Sequence, residues 1–238
     1  MQKTPHINRK ELKAPDTFVQ KGNRFIEFFV QRRSPFILVS SLGAATIILF
    51  YGFDYWTSKR LNDAWNALHK AEKVEETKRW DEYKKVHEGF SGARPGFIAA
   101  TRLGDHHFEL ARKEFFRDKA KAKVSSGEAV DWYGKARKFS DLLPTEKQLL
   151  GIDYGEALEL GDQLDNAINE YRVASELPGD AKPYALLKLA GALETKGDAA
   201  KAQETYQKLT VDFPSTEFAK MAKNGLRRMK SPNFASKS

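Results

Sequence analysis

The chain has 238 residues, 41% of them apolar and 30% charged, and a net charge of +8. That is long enough for a packed domain and, at a mean hydropathy of −0.59, too polar for a multi-pass membrane protein. The absence of cysteine excludes a disulfide framework, a thiolate zinc site and a cysteine nucleophile, and leaves the compartment open.

Charge is concentrated at one end. Residues 1–33 hold eight Lys or Arg against Glu11, Asp16 and Glu27, so the arm carries +5 (8 − 3) of the +8. Elsewhere the signs alternate, as in Lys73, Glu75, Glu76, Lys78, Arg79 and Asp81. That is the pattern of solvated helix faces and not of a stripe that tracks phosphates, so a nucleic-acid partner is not expected.

Within this basic arm Asp16 follows Pro15 and is placed to cap a helix. Phe18, Val19, Phe25, Ile26, Phe28 and Phe29 gather on one side of it, with Lys21 and Arg24 among them. Such an element lies on an anionic leaflet or docks on a partner's cytosolic face. Residues 34–53 then carry no charge, and at ~1.5 Å per residue a helix of that length reaches ~30 Å, the thickness of a bilayer core. Arg32 and Arg33 flank one end, Pro35 occupies the first turn, and Tyr51, Tyr55 and Trp56 stand at the other end as interfacial aromatics do. A single transmembrane helix over residues 34–56 is expected, retained as an anchor because the apolar run is longer than a signal-peptide core and lacks a small-residue cleavage site. A buried core helix is the alternative. The immediate flanks are tied in charge, with four Lys or Arg over residues 14–33 and four over 54–73, so only the whole arm favours a cytoplasmic N-terminus. Ser40/Ala44 and Ser41/Ala45 have a spacing that suits packing of another membrane helix, though it is common in apolar segments.

A membrane-proximal helical segment follows over residues 57–95, where Leu61, Ala64, Trp65, Leu68 and Ala71 recur at three- and four-residue steps, and Trp80, Tyr83 and Val86 continue them. No alternating strand pattern bounded by turns follows, so the chain reads as all-α. Comparison of the chain with itself gives the organisation. Gly161, Ala167, Tyr171 and Ala174 match Gly197, Ala202, Tyr206 and Leu209 at separations of 36, 35, 35 and 35. A Gly-Asp pair is expected to end one helix and start the next, a small Ala to let two helices approach, and Tyr to fill the gap. Pro178 and Pro214 terminate the second helix of each pair.

These positions resemble the tetratricopeptide family. Leu150, Gly155 and Leu158 correspond to Leu186, Ala190 and Leu193, and an earlier degenerate unit uses Ala100, Leu103, Gly104 and Phe108, then Ala129, Tyr133 and Ala136, separated by an insertion around residues 112–126. The resemblance implies a helical-repeat solenoid over residues 96–216 and a capping helix over 217–230; Pro232 argues that this helix has ended, and a flexible tail is expected over 231–238. The order of parts, a basic arm, one span and degenerate repeats beginning at Ala93-Arg94-Pro95-Gly96, is similar to the bacterial ancillary SecYEG translocon subunit (YfgM-like) family. Membership would imply an inner-membrane protein, N-terminus cytoplasmic and repeats periplasmic, whose partners are translocon subunits, chaperones or exported substrates.

No catalytic motif is present: there is no HExxH, Gly-rich phosphate loop or GxSxG elbow, and the carboxylates are interleaved with lysines. An enzyme, a cofactor and a small-molecule substrate are not expected. His106 and His107 are adjacent on a helix, which turns their rings ~100° apart and disfavours chelation of one metal; a metal protein using them is a distant alternative. By analogy with the repeat family, a protein-binding groove is expected near Thr101, Asp105, Ile152, Glu156, Tyr184, Leu187, Lys188 and Gly191. The Lys/Asn carboxylate clamp of some family members is absent, since Ile152 and Glu156, then Leu187 and Gly191, stand in its places. Two functions remain: a membrane-anchored adaptor that binds other proteins, or a structural subunit of an envelope or motility complex.

Overall fold

The computed structural model of the protein describes residues 21, 23, 24, 26–28, 30 and 33–230, with residues 33–36 and 38 described in their backbone only. The cap expected at Asp16, most of the basic arm and the tail at 231–238 lie outside the described residues. Among the described residues the fold is all-helical, with no strand. The chain divides into two units, residues 1–60 and 61–238.

The first long helix, α1 (Arg33–Lys73), runs through that division. In the first unit its described apolar side chains face outward on every side, with Ile48, Leu49 and Phe50 all about 70% exposed. Among the described residues no helix is long and apolar enough to cross a membrane. The stretch expected to do so includes residues 34–36 and 38, whose side chains lie outside the description.

The second unit is a stack of helices: α2 (Glu76–Phe90), α3 (Arg94–Glu114), α4 (Lys119–Ala136), α5 (Pro144–Leu160), α6 (Leu164–Glu176), α7 (Lys182–Lys196), α8 (Ala199–Asp212) and α9 (Glu217–Met229). Local chemistry sets their ends. Pro95, Pro144 and Pro183 occupy first turns, where a missing N–H costs no hydrogen bond. Asp118, Asp198 and Thr216 accept the backbone N–H of Lys121, Lys201 and Ala219 as side-chain caps. Glu146 reaches back to the N–H of Leu143 at 2.9 Å.

Each helix from α2 onward packs on the next, and α3, α5, α7 and α9 also touch one another in succession, whereas α4, α6 and α8 do not. Two layers follow, with the first helix of every pair on the tighter, concave side of a repeat array. Leu68 and Ala71 of α1 join Tyr83, Val86, Leu103 and Tyr133 in the first of three core clusters, and further clusters form around Tyr171 and around Tyr206.

The recurring joint between layers is a tyrosine ring laid on a glycine of the neighbouring helix. A Cβ placed on Gly104 would sit 2.5 Å from the Tyr133 ring, on Gly155 2.5 Å from Tyr171, and on Gly225 2.7 Å from Tyr206. In the last joint the glycine comes from α9, which therefore stands where the first helix of a further pair would.

The turns correct the sequence register. The Gly-Asp pairs at 161–162 and 197–198 are not equivalent: the left-handed residue is Asp162 (φ 61) in one and Gly197 (φ 87) in the other. The closing bonds agree, with the N–H of Gln163 donating to Leu158 O at 2.9 Å and that of Asp198 to Leu193 O at 3.0 Å. The period between these two units is thus 35 at the turn as well, with Asp, which tolerates this backbone better than most residues, substituting for Gly. Gly161 serves another purpose, since a Cβ there would lie 2.6 Å from Ser126 Oγ, which itself donates to Ala157 O at 2.8 Å.

Gln148 ties consecutive pairs together. It is fully buried, its Nε2 donates to Ala174 O (3.1 Å) and Leu177 O (2.8 Å), and its Oε1 accepts the N–H of Ala181 at 3.2 Å. One amide thereby satisfies three backbone groups of the α6–α7 turn.

Two thermal-unfolding predictions follow from these contacts. Gly155→Ala drives a methyl into the Tyr171 ring and is expected to cost about 1–3 kcal/mol, whereas Gly127→Ala on α4, which meets nothing within 4 Å, is expected to be neutral or stabilising by up to ~1 kcal/mol. Gln148→Leu strands buried carbonyls and an N–H and is expected to lower stability by about 2 kcal/mol or more.

A candidate protein-binding groove

The concave layer presents one face of α3, α5 and α7. A depression of about 540 Å³ there is lined by Phe108, Arg112, Phe115, Glu156, Tyr184 and Lys188, together with Glu159 and Leu160. It continues along α7 past Leu187, Gly191 and Thr195 to Arg228 of α9, and in the other direction past Phe115 to Phe116 and Lys113. The three sections share residues and form one open groove.

Five of the expected residues, Glu156, Tyr184, Leu187, Lys188 and Gly191, line this groove. Ile152 does not. It is 0% exposed and packs in the core with Leu158, Ile168 and Tyr171, so it cannot touch a ligand. The residue beside it, Asp153, is half-buried and lies near Asp105 and Glu156, but it too lines none of the three sections. Thr101 and Asp105 are half-buried but line none of the three sections. The Thr101 hydroxyl is spent on Phe97 O at 3.1 Å.

Tyr184 and Lys188 are fixed by Glu156. Tyr184 OH donates to Glu156 Oε1 at 2.8 Å, Lys188 Nζ stands 2.5 Å from the same oxygen, and the Tyr184 ring stacks on Phe218 of α9 at 5.3 Å. Glu159 and Glu194, 35 residues apart, make the same bond one repeat apart: each accepts a phenol, Tyr171 OH and Tyr206 OH respectively, at 3.0 Å. Glu194 also receives both guanidinium arms of Arg228, at 2.8 and 2.6 Å, which holds its carboxyl below the usual range. In the degenerate unit Phe108 stands four residues after the glycine, where the next unit has Glu159, and Tyr133 OH donates to Asp105 instead, at 3.0 Å.

The insertion between Gly104 and Ala129 is absorbed by longer helices, and its turn carries Phe115 and Phe116. Phe116 is 92% exposed, edge-on to Phe115 with centroids 5.1 Å apart. Adjacent aromatics in the otherwise charged run Arg112–Lys119 were the sequence signal for this rim, and the 35-residue recurrence of Glu was the signal for Glu159 and Glu194.

His106 and His107 are taken up by contacts within the fold. His106 stacks on Trp80 at 3.8 Å, and burial pushes its pKa down. His107 Nδ1 lies 2.7 Å from Glu128 Oε2 but off the line an N–H would take. Among the described residues no group of three or more His, Cys, Asp or Glu is placed to hold a metal ion.

Asp153 is electrostatically exposed to its neighbours. Desolvation, then the charges of Asp105 and Glu156, push its carboxyl up to about 7, and Lys188 only partly offsets them. Between the unfolded value near 4 and about 7 the folded state holds the extra proton, so this group makes folding less favourable as pH rises through that window. Asp153→Asn is therefore expected to raise the unfolding midpoint more at pH 8 than at pH 5.

Compared with known proteins, the chain matches no family model, no curated protein and no solved structure.

Proposed function

We propose that the protein is a membrane-anchored adaptor of tetratricopeptide type, in which residues 34–56 cross an inner membrane and the repeat unit binds segments of other proteins. The observation that carries the binding half is the open groove along α3, α5 and α7, with an almost fully exposed phenylalanine at its rim. An exposed aromatic at the rim of a concave surface is a side chain of the type enriched in protein interfaces. The anchoring half is supported by the uncharged stretch at 34–53 and by the described apolar side chains turned outward between Ile37 and Trp56. Apolar surface left in water costs about 25 cal/mol per Å², which lipid removes.

Translocon subunits, periplasmic chaperones and exported substrates are the proposed partners, on the resemblance in the order of parts. Anchoring restricts the module to a thin layer and raises its effective concentration, so weak individual contacts suffice.

The full-length protein is expected to stay with the membrane pellet after an alkaline wash, and its repeats to be digested by protease added to intact spheroplasts. A photo-crosslinker at Phe116 or Leu187 is expected to capture translocon subunits or chaperones. Release by the alkaline wash overturns the anchor, and protection from external protease overturns the periplasmic placement. Crosslinks confined to other copies of the chain overturn the adaptor reading.

A further inference from the structure

The positive charge that follows the basic arm is not spread over the repeats. Residues 34–216 hold 26 Lys or Arg and 28 Asp or Glu, whereas residues 217–230, the closing helix α9 and its cap, hold five and one. The surplus therefore lies at the end of the array. Two of the five cations are used locally, Arg228 by Glu194 and Lys220 by Glu217, both at 2.6 Å. Lys223, Arg227 and Lys230 are exposed and have no ion pair among the described residues. At ~100° per residue, Lys220, Lys223, Arg227 and Lys230 fall within ~80° of one another around the helix, in a stripe that runs ~15 Å along it.

The other side of α9 is spent on the fold. Ala219, Ala222 and Gly225 are buried, Gly225 against the Tyr206 ring. Phe218 stacks on Tyr184 at 5.3 Å, and Leu226 and Met229 pack on the third core cluster. This packing fixes the stripe, because α9 cannot roll without opening the last tyrosine joint. It also separates two kinds of anionic occupant. A helix that lies on a membrane sinks its apolar face to the acyl boundary, and α9 has already used that face against the repeats. A protein segment needs no such face. Carboxylates at a fixed spacing are met by the Arg227 guanidinium, which can take one with two parallel bonds, and by the lysines as point charges.

Closing an array requires only a polar outer face. Helix α2, with four Asp or Glu and four Lys or Arg, is polar with both signs mixed, so solubility alone gives no reason for the single sign on α9. We infer that the stripe on α9 is a second docking surface, whose occupant is an acidic segment of another protein with Asp or Glu side chains set against Lys223, Arg227 and Lys230. It lies on a different side of the helix from Arg228, which lines the groove, and it does not depend on the groove reading.

The test uses the full chain in neutral detergent micelles, with empty micelles as control, and a labelled alanine-rich helical peptide carrying Glu at the spacing of the stripe, against the same peptide with Gln for every Glu. Fluorescence anisotropy is expected to show binding of the Glu peptide alone, weakening at least threefold between about 50 and about 300 mM salt as the charges are screened. The double variant Lys223→Glu/Arg227→Glu is expected to weaken it about tenfold or more with unchanged helical circular dichroism. Lys84→Glu/Lys138→Glu makes the same change in net charge at two exposed lysines elsewhere and is expected to leave affinity within about twofold. Equal binding of the two peptides, no binding of the Glu peptide, binding that the α9 variant leaves intact, as the basic arm would give, or equal loss in both double variants overturns the inference. Displacement of the peptide when phosphatidylglycerol is mixed into the micelles assigns the stripe to lipid and likewise overturns it. The groove reading stands or falls separately, on crosslinks from Phe116 or Leu187, which the α9 variant is expected to leave unchanged.

Discussion

Close approach of a tyrosine ring to a glycine backbone is the constraint on which the repeat unit is built. With a Cβ at Gly104, Gly155 or Gly225 the ring of Tyr133, Tyr171 or Tyr206 would have to move, and the helices would separate by the thickness of a methyl group. Because the ring is pressed against the neighbouring helix, its phenol emerges at the edge of the joint. There it finds Asp105, Glu159 or Glu194. A buried phenol without such a partner costs about 1–3 kcal/mol, so each joint demands both a small residue beneath the ring and an acceptor at its rim. The same acceptors bring carboxylates onto the concave side. Packing and groove chemistry are therefore one arrangement seen from two sides.

The repeat was legible in the sequence because its most constrained positions recur. Ala167, Ala202 and Tyr171 are fully buried and Tyr206 nearly so, and each tyrosine fills its gap while donating to a carboxylate. Turn glycines are less reliable. Asp takes the left-handed position at 162, while Gly161 is required by contact with Ser126 of the preceding pair, so a match of Gly161 to Gly197 joins residues with different duties. Gln148 carried no signal at all. A glutamine in a helix reads as surface unless the turn carbonyls it will meet, 26 and 29 residues away, are already known.

The groove was harder to read for a geometric reason. Helix α5 touches α3, α4, α6 and α7, and Gln148, Leu150, Gly151, Ile152, Gly155, Ala157 and Leu158 are all buried. Its open stripe is narrow, and an error of one residue, ~100° of helix rotation, exchanges Ile152 for Asp153. On α7 the buried residues leave Tyr184, Leu187, Lys188 and Gly191 together on one open edge, and there the periodic reading chose well. Insertions escape periodic reading altogether. The longer helices of the degenerate unit carry Phe115 and Phe116 to the end of the groove, where no repeat position would place them.

A repeat array of this kind needs little that is specific to hold itself up, so residues that do not serve the joints are free to serve a partner. Phe116 touches Phe115 and otherwise faces solvent. Asp153 is held where burial and two neighbouring carboxylates oppose its ionisation, a cost that packing alone gives no reason to keep, because an asparagine would fill the same space without charge. Phe116 spends stability at the rim of the groove, and Asp153 on the helix α5 that borders it. Covering the Phe116 ring would recover the first of these costs, whereas the second is set within the fold by burial and by Asp105 and Glu156.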